Sequence, residues 1–267
     1  MGEIFELGLY NKYFQGSMPH AALGFFAVLI IGYLLGSLNF GIIISKIFYK
    51  DDVRNHGSGG SGATNMLRTY GKFPAIMTFF GDGLKAAAAV FIGALILGAH
   101  TSDFFSYNGV IYNNAVDFER ALIELYGENR PTIIIHTYEA FAGMYIGGLA
   151  ALIGHAFPVY YKFKGGKCVA ATFFLVLCTE PLVALILLAF FIAFVWGTKY
   201  ISVGSIMCVI IYPLILYNMT GAGLHTLAAI FIALFVVYLH RENIMRLLNG
   251  KENKLNLRKK IKENNAD

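Results

Sequence analysis

The sequence predicts an all-α, polytopic membrane protein with seven transmembrane helices, its N-terminus outside and its C-terminus in the cytoplasm. Three observations carry that expectation. Charged residues make up 14% of the chain and hydrophobic ones 57%, whereas ordinary globular domains are about 25% charged. So few charges cannot cover a water-facing surface. The apolar residues also fall in long uncharged runs, several near the ~20 residues that a helix needs to cross a ~30 Å hydrocarbon core. Finally, the basic residues gather almost entirely on alternate connections. The same figures argue against a soluble enzyme, a disordered chain and a nucleic-acid binder.

The first span is read from Ala21 to Ser45. It is longer than the apolar region of a signal peptide, and Met1 to Lys12 are acidic and aromatic rather than basic, so no cleavable leader is expected. The second runs from Phe73 to Ala99, interrupted only by Asp82 and Lys85. The third, Ala140 to Tyr161, is uncharged and carries His155. Glu180-Pro181 divides the apolar run from Cys168 to Thr198 into a fourth, short span and a fifth. Asn218-Met219-Thr220-Gly221 divides Tyr200 to Leu239 into a sixth and a seventh.

With the N-terminus outside, seventeen Lys and Arg residues fall on the cytoplasmic segments, from Lys46 to Lys262. Only Lys12, Arg120 and Arg130 remain outside. This is the positive-inside pattern, and it also supports the odd number of spans. Residues 1–267 then form one integral membrane domain without internal repeats. Within it, 100–138 is a long outer loop. There Asn114, Phe118, Ala121, Leu122, Leu125 and Gly127 have the spacing of a short amphipathic surface helix. The stretch 249–267, rich in Lys and Asn, reads as a polar, solvated cytoplasmic tail.

Three segments carry chemistry. In Asn55-His56-Gly57-Ser58-Gly59-Gly60-Ser61-Gly62-Ala63-Thr64-Asn65, glycines let backbone N–H groups converge, Ser58, Ser61 and Thr64 add hydroxyls, and Arg54 and Arg68 supply charge. A helical pattern from Ala63 places the loop at a helix start, which favours an anion. No Lys-Ser/Thr follows the last glycine, so it is not a Walker loop. A phosphate site is a better reading than a flexible linker, which rarely combines glycines, hydroxyls and arginines. The second segment, Lys162-Phe163-Lys164-Gly165-Gly166-Lys167, reads alone equally well as a basic membrane anchor with a turn. The third, His240-Arg241-Glu242-Asn243 continuing to Arg246, reads alone as an ordinary membrane-exit cluster, with His240 and Asn243 on one helical face. What raises all three is that the topology brings them to one membrane surface, where a soluble phosphate compound can meet a lipid-borne one. Within the membrane, Asp82 and Lys85 stand three apart. Intramembrane charges are functional candidates, and a structural pair is an equal alternative. Cys168, Cys178 and Cys208 have neither metal nor redox spacing and read as inert thiols, with Cys168, next to Lys167, the one exception left open.

Taken together the segments resemble the bacterial acyl-phosphate:glycerol-3-phosphate acyltransferase family. The resemblance lies in Gly36-Ser37, Asp52-Val53-Arg54, Gly57-Ser58-Gly59, Gly62-Ala63-Thr64-Asn65 and Arg68. It continues in Gly154-His155, Phe157-Pro158 and Phe163-Lys164-Gly165-Gly166-Lys167, and ends in His240-Arg241-Glu242-Asn243-Ile244 with Arg246-Leu247-Leu248. It implies a seven-helix enzyme of the bacterial inner membrane, with its active site at the cytoplasmic face. Such an enzyme moves a fatty acyl group from acyl phosphate to the 1-hydroxyl of glycerol 3-phosphate, the first step of phospholipid synthesis, with no metal and no cofactor. Carried over by position, Ser58, Arg68, Lys167, His240 and Asn243 would be the catalytic residues. Gly57, Gly59, Gly62, Thr64, Asn65, Lys164, Gly165 and Gly166 would hold substrate phosphate, and Glu242 would serve structural integrity.

Two positions depart from the family pattern: Gly60 stands where Asn is usual, and Cys168 where Gly is usual. Because Ser58, Arg68 and Lys167 remain, activity is expected to be retained. The rival classes fit less well. No histidine has an Asp five residues on, which disfavours the His-x4-Asp acyltransferases. An organic-phosphate transporter would use Asp82 and Lys85 as its path, but the basic motifs cluster on one face and no inverted repeat is detectable.

Overall fold

The computed structural model describes residues 18–97, 105–107, 110–112, 120, 124, 142–221 and 223–255. In chain order the helices are α1 (Met18–Ser37), α2 (Phe40–Tyr49), α3 (Ala63–Thr69), α4 (Lys72–Leu97), α5 (Ala142–Ala156), α6 (Val169–Thr179), α7 (Pro181–Thr198), α8 (Ile201–Thr220), α9 (Leu224–Leu239) and α10 (Arg241–Leu248). A small antiparallel hairpin, β1 (Phe105–Tyr107) and β2 (Val110–Tyr112), lies in the segment read as an outer loop. The amphipathic helix expected from Asn114 falls outside the described residues.

Five stretches are long and apolar enough to cross a membrane: Ala22–Tyr49, Lys72–Leu97, Gly143–Tyr161, Pro181–Thr198 and Ile201–Thr220. Helices α9 and α10 give a sixth if the 57° bend between them is counted within one span. Helix α6 has 11 residues, which at ~1.5 Å each covers about half of a bilayer core. Large apolar side chains such as Leu182, Leu185, Ile192 and Trp196 point outward, as a lipid-facing surface requires.

The first span is not one uninterrupted helix. Helix α1 stops at Ser37 because the Lys85 ammonium takes the carbonyls of Gly36 (2.8 Å) and Leu38 (2.5 Å). The chain restarts at Phe40, whose N–H donates to Asp82 Oδ1 at 3.2 Å. Asp82 and Lys85 are thus paired at 3.0 Å and jointly hold the break between α1 and α2.

Helices α1, α4 and α5 pack backbone to backbone. A Cβ on Gly147 would overlap the Ala89 carbonyl, and one on Gly36 the Ala151 carbonyl. Such small-residue contacts replace the hydrophobic drive that lipid removes. A larger core joins α4, α5, α6, α8 and α9 through Leu152, Leu175, Val176, Tyr212, Leu216 and Ile232. Between α6 and α7, Glu180 is a hydrogen-bonded centre as well as a turn, accepting from Tyr145 (2.6 Å), Tyr212 (3.4 Å) and Thr179.

Candidate active site

All three chemistry-bearing segments meet at the loop-bearing end of this bundle. The first leaves α2 through a 3-10 turn at Val53–Asn55, capped by Asp52, which accepts from the Arg54 N–H at 3.0 Å. The Arg54 guanidinium grips the same carboxylate (2.9 and 2.6 Å), which holds Asp52 below its ordinary pKa. Its Nη1 donates to the carbonyls of Lys164 (2.9 Å) and Tyr161 (3.3 Å). Arg54, read from sequence as charge for a phosphate, ties the first glycine segment to the second.

Asn65 gives the first loop its shape. Its Oδ1 accepts from the Ser58 N–H (2.9 Å), and its Nδ2 faces the carbonyls of Val53 (2.9 Å), His56 (3.0 Å) and Gly60 (2.8 Å). The turn needs the left-handed backbone at Gly57 (φ 57°) and Gly59 (φ 73°). At Gly57 a Cβ would also strike the Asn65 amide. Among the described residues, no protein acceptor takes the N–H groups of Gly60, Ser61, Gly62, Ala63 and Thr64. The Ser61 hydroxyl is also buried without a partner.

The second segment behaves differently. The Gly165 N–H donates to Ala156 O and that of Gly166 to His155 O, each at 3.1 Å, which closes the end of α5. Those two glycines therefore have no backbone donor left for an anion. They allow close approach instead, since a Cβ would overlap the His155 carbonyl or its imidazole. Lys167 donates to Asn243 Oδ1, and burial lowers its pKa. Cys168 follows in the left-handed region (φ 64°), with its thiol on the Leu152 carbonyl at 3.2 Å.

In the third segment the chain bends at His240 instead of continuing as one helix. His240 Nδ1–H donates to the Val236 carbonyl at 2.8 Å, which leaves Nε2 as an acceptor. Burial pulls its pKa down to about 4. The Asn243 Nδ2 donates to Glu252 Oε1 at 2.9 Å. Glu252 is 9% exposed and also accepts from Ser202 (3.0 Å) and Arg246 (2.9 Å). Burial alone would raise the Glu252 pKa, but these donors outweigh it and hold the carboxyl below its ordinary value. Sequence reasoning missed Glu252, which lies in the stretch read as a solvated tail. It is buried, whereas Glu242 is exposed and reaches Arg246 only at 3.8 Å.

One cavity of about 290 Å³ collects Ser58, Gly62, Thr64, Asn65, Arg68, Gly165, Gly166, Lys167, His240 and Asn243 from the sequence-derived set, together with Asp82, His155 and Glu252. Of that set, Gly57, Gly59 and Lys164 do not line it; Gly59 and Lys164 border a neighbouring surface pocket beside Arg54 and Tyr161. Arg68, whose pKa is lowered by burial, Lys167 and Arg246 lie within electrostatic reach of one another and of Glu252. Arg246 is paired with Glu252 and Lys85 with Asp82, which leaves Arg68 and Lys167 as the positive charge facing the cavity and favours an anion. Among the described residues, no group of three His, Cys, Asp or Glu side chains is placed to hold a metal. An apolar groove of about 200 Å³ between α6, α7 and α8 shares Phe79, Val169, Phe191 and Ser205 with the polar cavity. The charged cavity and the hydrocarbon-compatible groove thus adjoin along those four residues.

Known proteins resemble this chain over most of its length. The family profile described as Glycerol-3-phosphate acyltransferase matches residues 26–250. A glycerol-3-phosphate acyltransferase of Syntrophotalea carbinolica is 33% identical over 86% of this chain and 97% of its own. One from Finegoldia magna is 35% identical over 85% and 93%. Among solved structures, PlsY, an integral membrane glycerol 3-phosphate acyltransferase, superposes in its glycerol 3-phosphate form with a TM-score of 0.68 and 30% identity, covering 87% of this chain and 96% of that one. Its lysophosphatidic acid form gives 0.65 and 30%.

Proposed function

The chain belongs to the glycerol-3-phosphate acyltransferase family, and from that premise we propose that it moves a fatty acyl group from acyl phosphate to the 1-hydroxyl of glycerol 3-phosphate. The products are lysophosphatidic acid and inorganic phosphate. The observation that supports this reading is the adjacency of a cationic cavity, suited to phosphates, and an apolar groove that shares four lining residues with it, suited to an acyl chain. The topology that suits it has seven membrane segments, an outside N-terminus, and the cavity at the cytoplasmic face of the bacterial inner membrane. There the soluble acceptor is available.

An acyl phosphate is an activated mixed anhydride, so the protein's task is to hold two anions together and aim a hydroxyl at a carbonyl. Arg68 and Lys167 offset the repulsion between the phosphates, and the N–H groups of Gly60 to Thr64 line one wall. Holding reactants in line supplies up to ~7–11 kcal/mol of a barrier. Ser58, beside the open N–H groups, is the donor assigned to the carbonyl oxygen as charge develops there. His240 Nε2 offers its lone pair to a hydroxyl of the acceptor other than the attacking one. Burial, however, pulls its pKa down to about 4 and makes it a poor base. The proton therefore goes to phosphate, and His240 and Asn243 orient the groups.

The test is direct. Purified protein in detergent receives acyl phosphate and glycerol 3-phosphate, without metal or coenzyme A, and lysophosphatidic acid is measured. Product formation is the expected result. No product, with uptake of organic phosphate into liposomes instead, would replace the enzyme by a transporter.

A further inference from the structure

The cavity holds a second histidine that the sequence motifs did not single out as a site residue. His155 ends α5, is 3% exposed and lines the cavity beneath Gly166. Its proton position follows from its neighbours. Lys85 Nζ lies 2.9 Å from His155 Nδ1, 2.8 Å from Gly36 O, 2.5 Å from Leu38 O and 3.0 Å from Asp82 Oδ1. An ammonium has three hydrogens and no lone pair. Two N–H donors cannot face each other at that separation, so Nδ1 is bare and the imidazole proton is on Nε2. Asp82 Oδ1, 3.6 Å from Nδ1, is beyond hydrogen-bond reach of the imidazole and pairs with Lys85 instead. Nε2 has no partner among the described residues, yet it is not one of the buried atoms sealed off without one. It opens onto the cavity.

We propose that His155 donates its Nε2–H to an anionic oxygen of the bound substrate, and that Lys85 and Asp82 are positioning residues which fix this tautomer. The two histidines then have opposite polarity. His240, its Nδ1–H spent on Val236, presents a lone pair; His155, its Nδ1 occupied by Lys85, presents a hydrogen. An acyl transfer between two anions uses both kinds of group: an acceptor that orients a substrate hydroxyl and a donor for a phosphoryl oxygen. The glycine at 166 follows from this, since a Cβ there would cover Nε2. The inference deepens the phosphate reading of the cavity, on which it rests.

Nitrogen-15 NMR of histidine-labelled protein in detergent tests the assignment without an acyl donor, His155→Gln serving to assign the resonance. His155 is expected to be protonated at Nε2 and bare at Nδ1, and His240 the reverse. Inorganic phosphate should shift the His155 Nε2 signal, and Lys85→Met should abolish the single-tautomer pattern. In turnover, His155→Phe is expected to lower kcat/KM by on the order of 10²–10³, the usual loss for one donor to a developing charge. His155→Gln, which keeps an N–H, should regain about tenfold of that, or ~1.4 kcal/mol. A wild-type His155 protonated at Nδ1, an Nε2 signal indifferent to phosphate, or a folded His155→Phe of near-normal activity would each overturn the proposal. If wild-type protein makes no lysophosphatidic acid while phosphate still shifts Nε2, the acyl-phosphate reading fails and the His155 assignment stands.

Discussion

The two glycine segments border one cavity and use glycine for opposite purposes. In the first, Asn65 gathers the loop's carbonyls, and the N–H groups from Gly60 to Thr64 stay open at the start of α3. In the second, the N–H groups of Gly165 and Gly166 are consumed by the last carbonyls of α5. Glycine is required there because a carbonyl and an imidazole leave no room for a side chain. A pair of glycines between lysines is therefore not sufficient for an anion nest. The backbone must also have nowhere else to donate. The second segment contributes its cation, Lys167, and leaves the N–H donors to the first.

The severest test of this division removes the cations that both segments rely on. Arg68→Ala and Lys167→Ala are each expected to lower kcat/KM by on the order of 10²–10³ in steady-state assays. Near-normal turnover in either would place the reaction elsewhere. Next come the glycines themselves. Gly57→Ala and Gly166→Ala force a Cβ into Asn65 or His155 and are expected to cost about 1–3 kcal/mol of stability, as overpacking does. By contrast, a Cβ on Gly62 meets nothing within 4 Å, and one on Gly60 meets only Ser58 Oγ at 3.8 Å. Alanine at either should change stability by less than about 0.5 kcal/mol. Thermal unfolding in detergent checks all four; equal losses across them would erase the distinction.

These contrasts also show what the sequence could and could not reveal. Membrane spans are legible because length and apolarity are local properties. The break after α1 is not, for no Gly or Pro marks Leu38-Asn39; it is made by Lys85, 47 residues further on. Arg54 sits among phosphate-like signals yet is bound to Asp52 and two carbonyls, which only tertiary structure supplies. Glu252 was hidden by its surroundings: a Lys- and Asn-rich stretch reads as solvated. Its burial depends on Asn243, Arg246 and Ser202 meeting it from two other helices. The cavity-lining residues of the motifs converge because the motifs end or begin helices at the same end of the bundle.

Smaller effects sharpen the picture at the third segment. The folded pKa of His240, about 4, lies below an unfolded value near 6.5, so the unfolded chain binds more protons between those pH values. Stability should be full above pH ~6.5 and decline as pH falls toward ~4. His240→Gln should flatten that slope in pH-dependent unfolding, and an unchanged slope would refute the assignment. Glu252, also depressed, adds a loss at lower pH as it protonates. The smallest change is expected from Cys168→Gly. Relieving a left-handed residue gains about 1 kcal/mol, largely offset by losing the thiol contact with Leu152. Unfolding temperature should therefore barely move, and a large drop would show that the thiol is essential to the second loop.

The fold-back of residues 249–255 bears on how the protein is made. The carboxylate that orients Asn243 comes from chain beyond α10, so helices α1 to α10 can all form before that contact closes. A chain stopped after Leu248 would keep all ten helices and leave Asn243 and Arg246 without their carboxylate, separating the making of the bundle from the setting of its site.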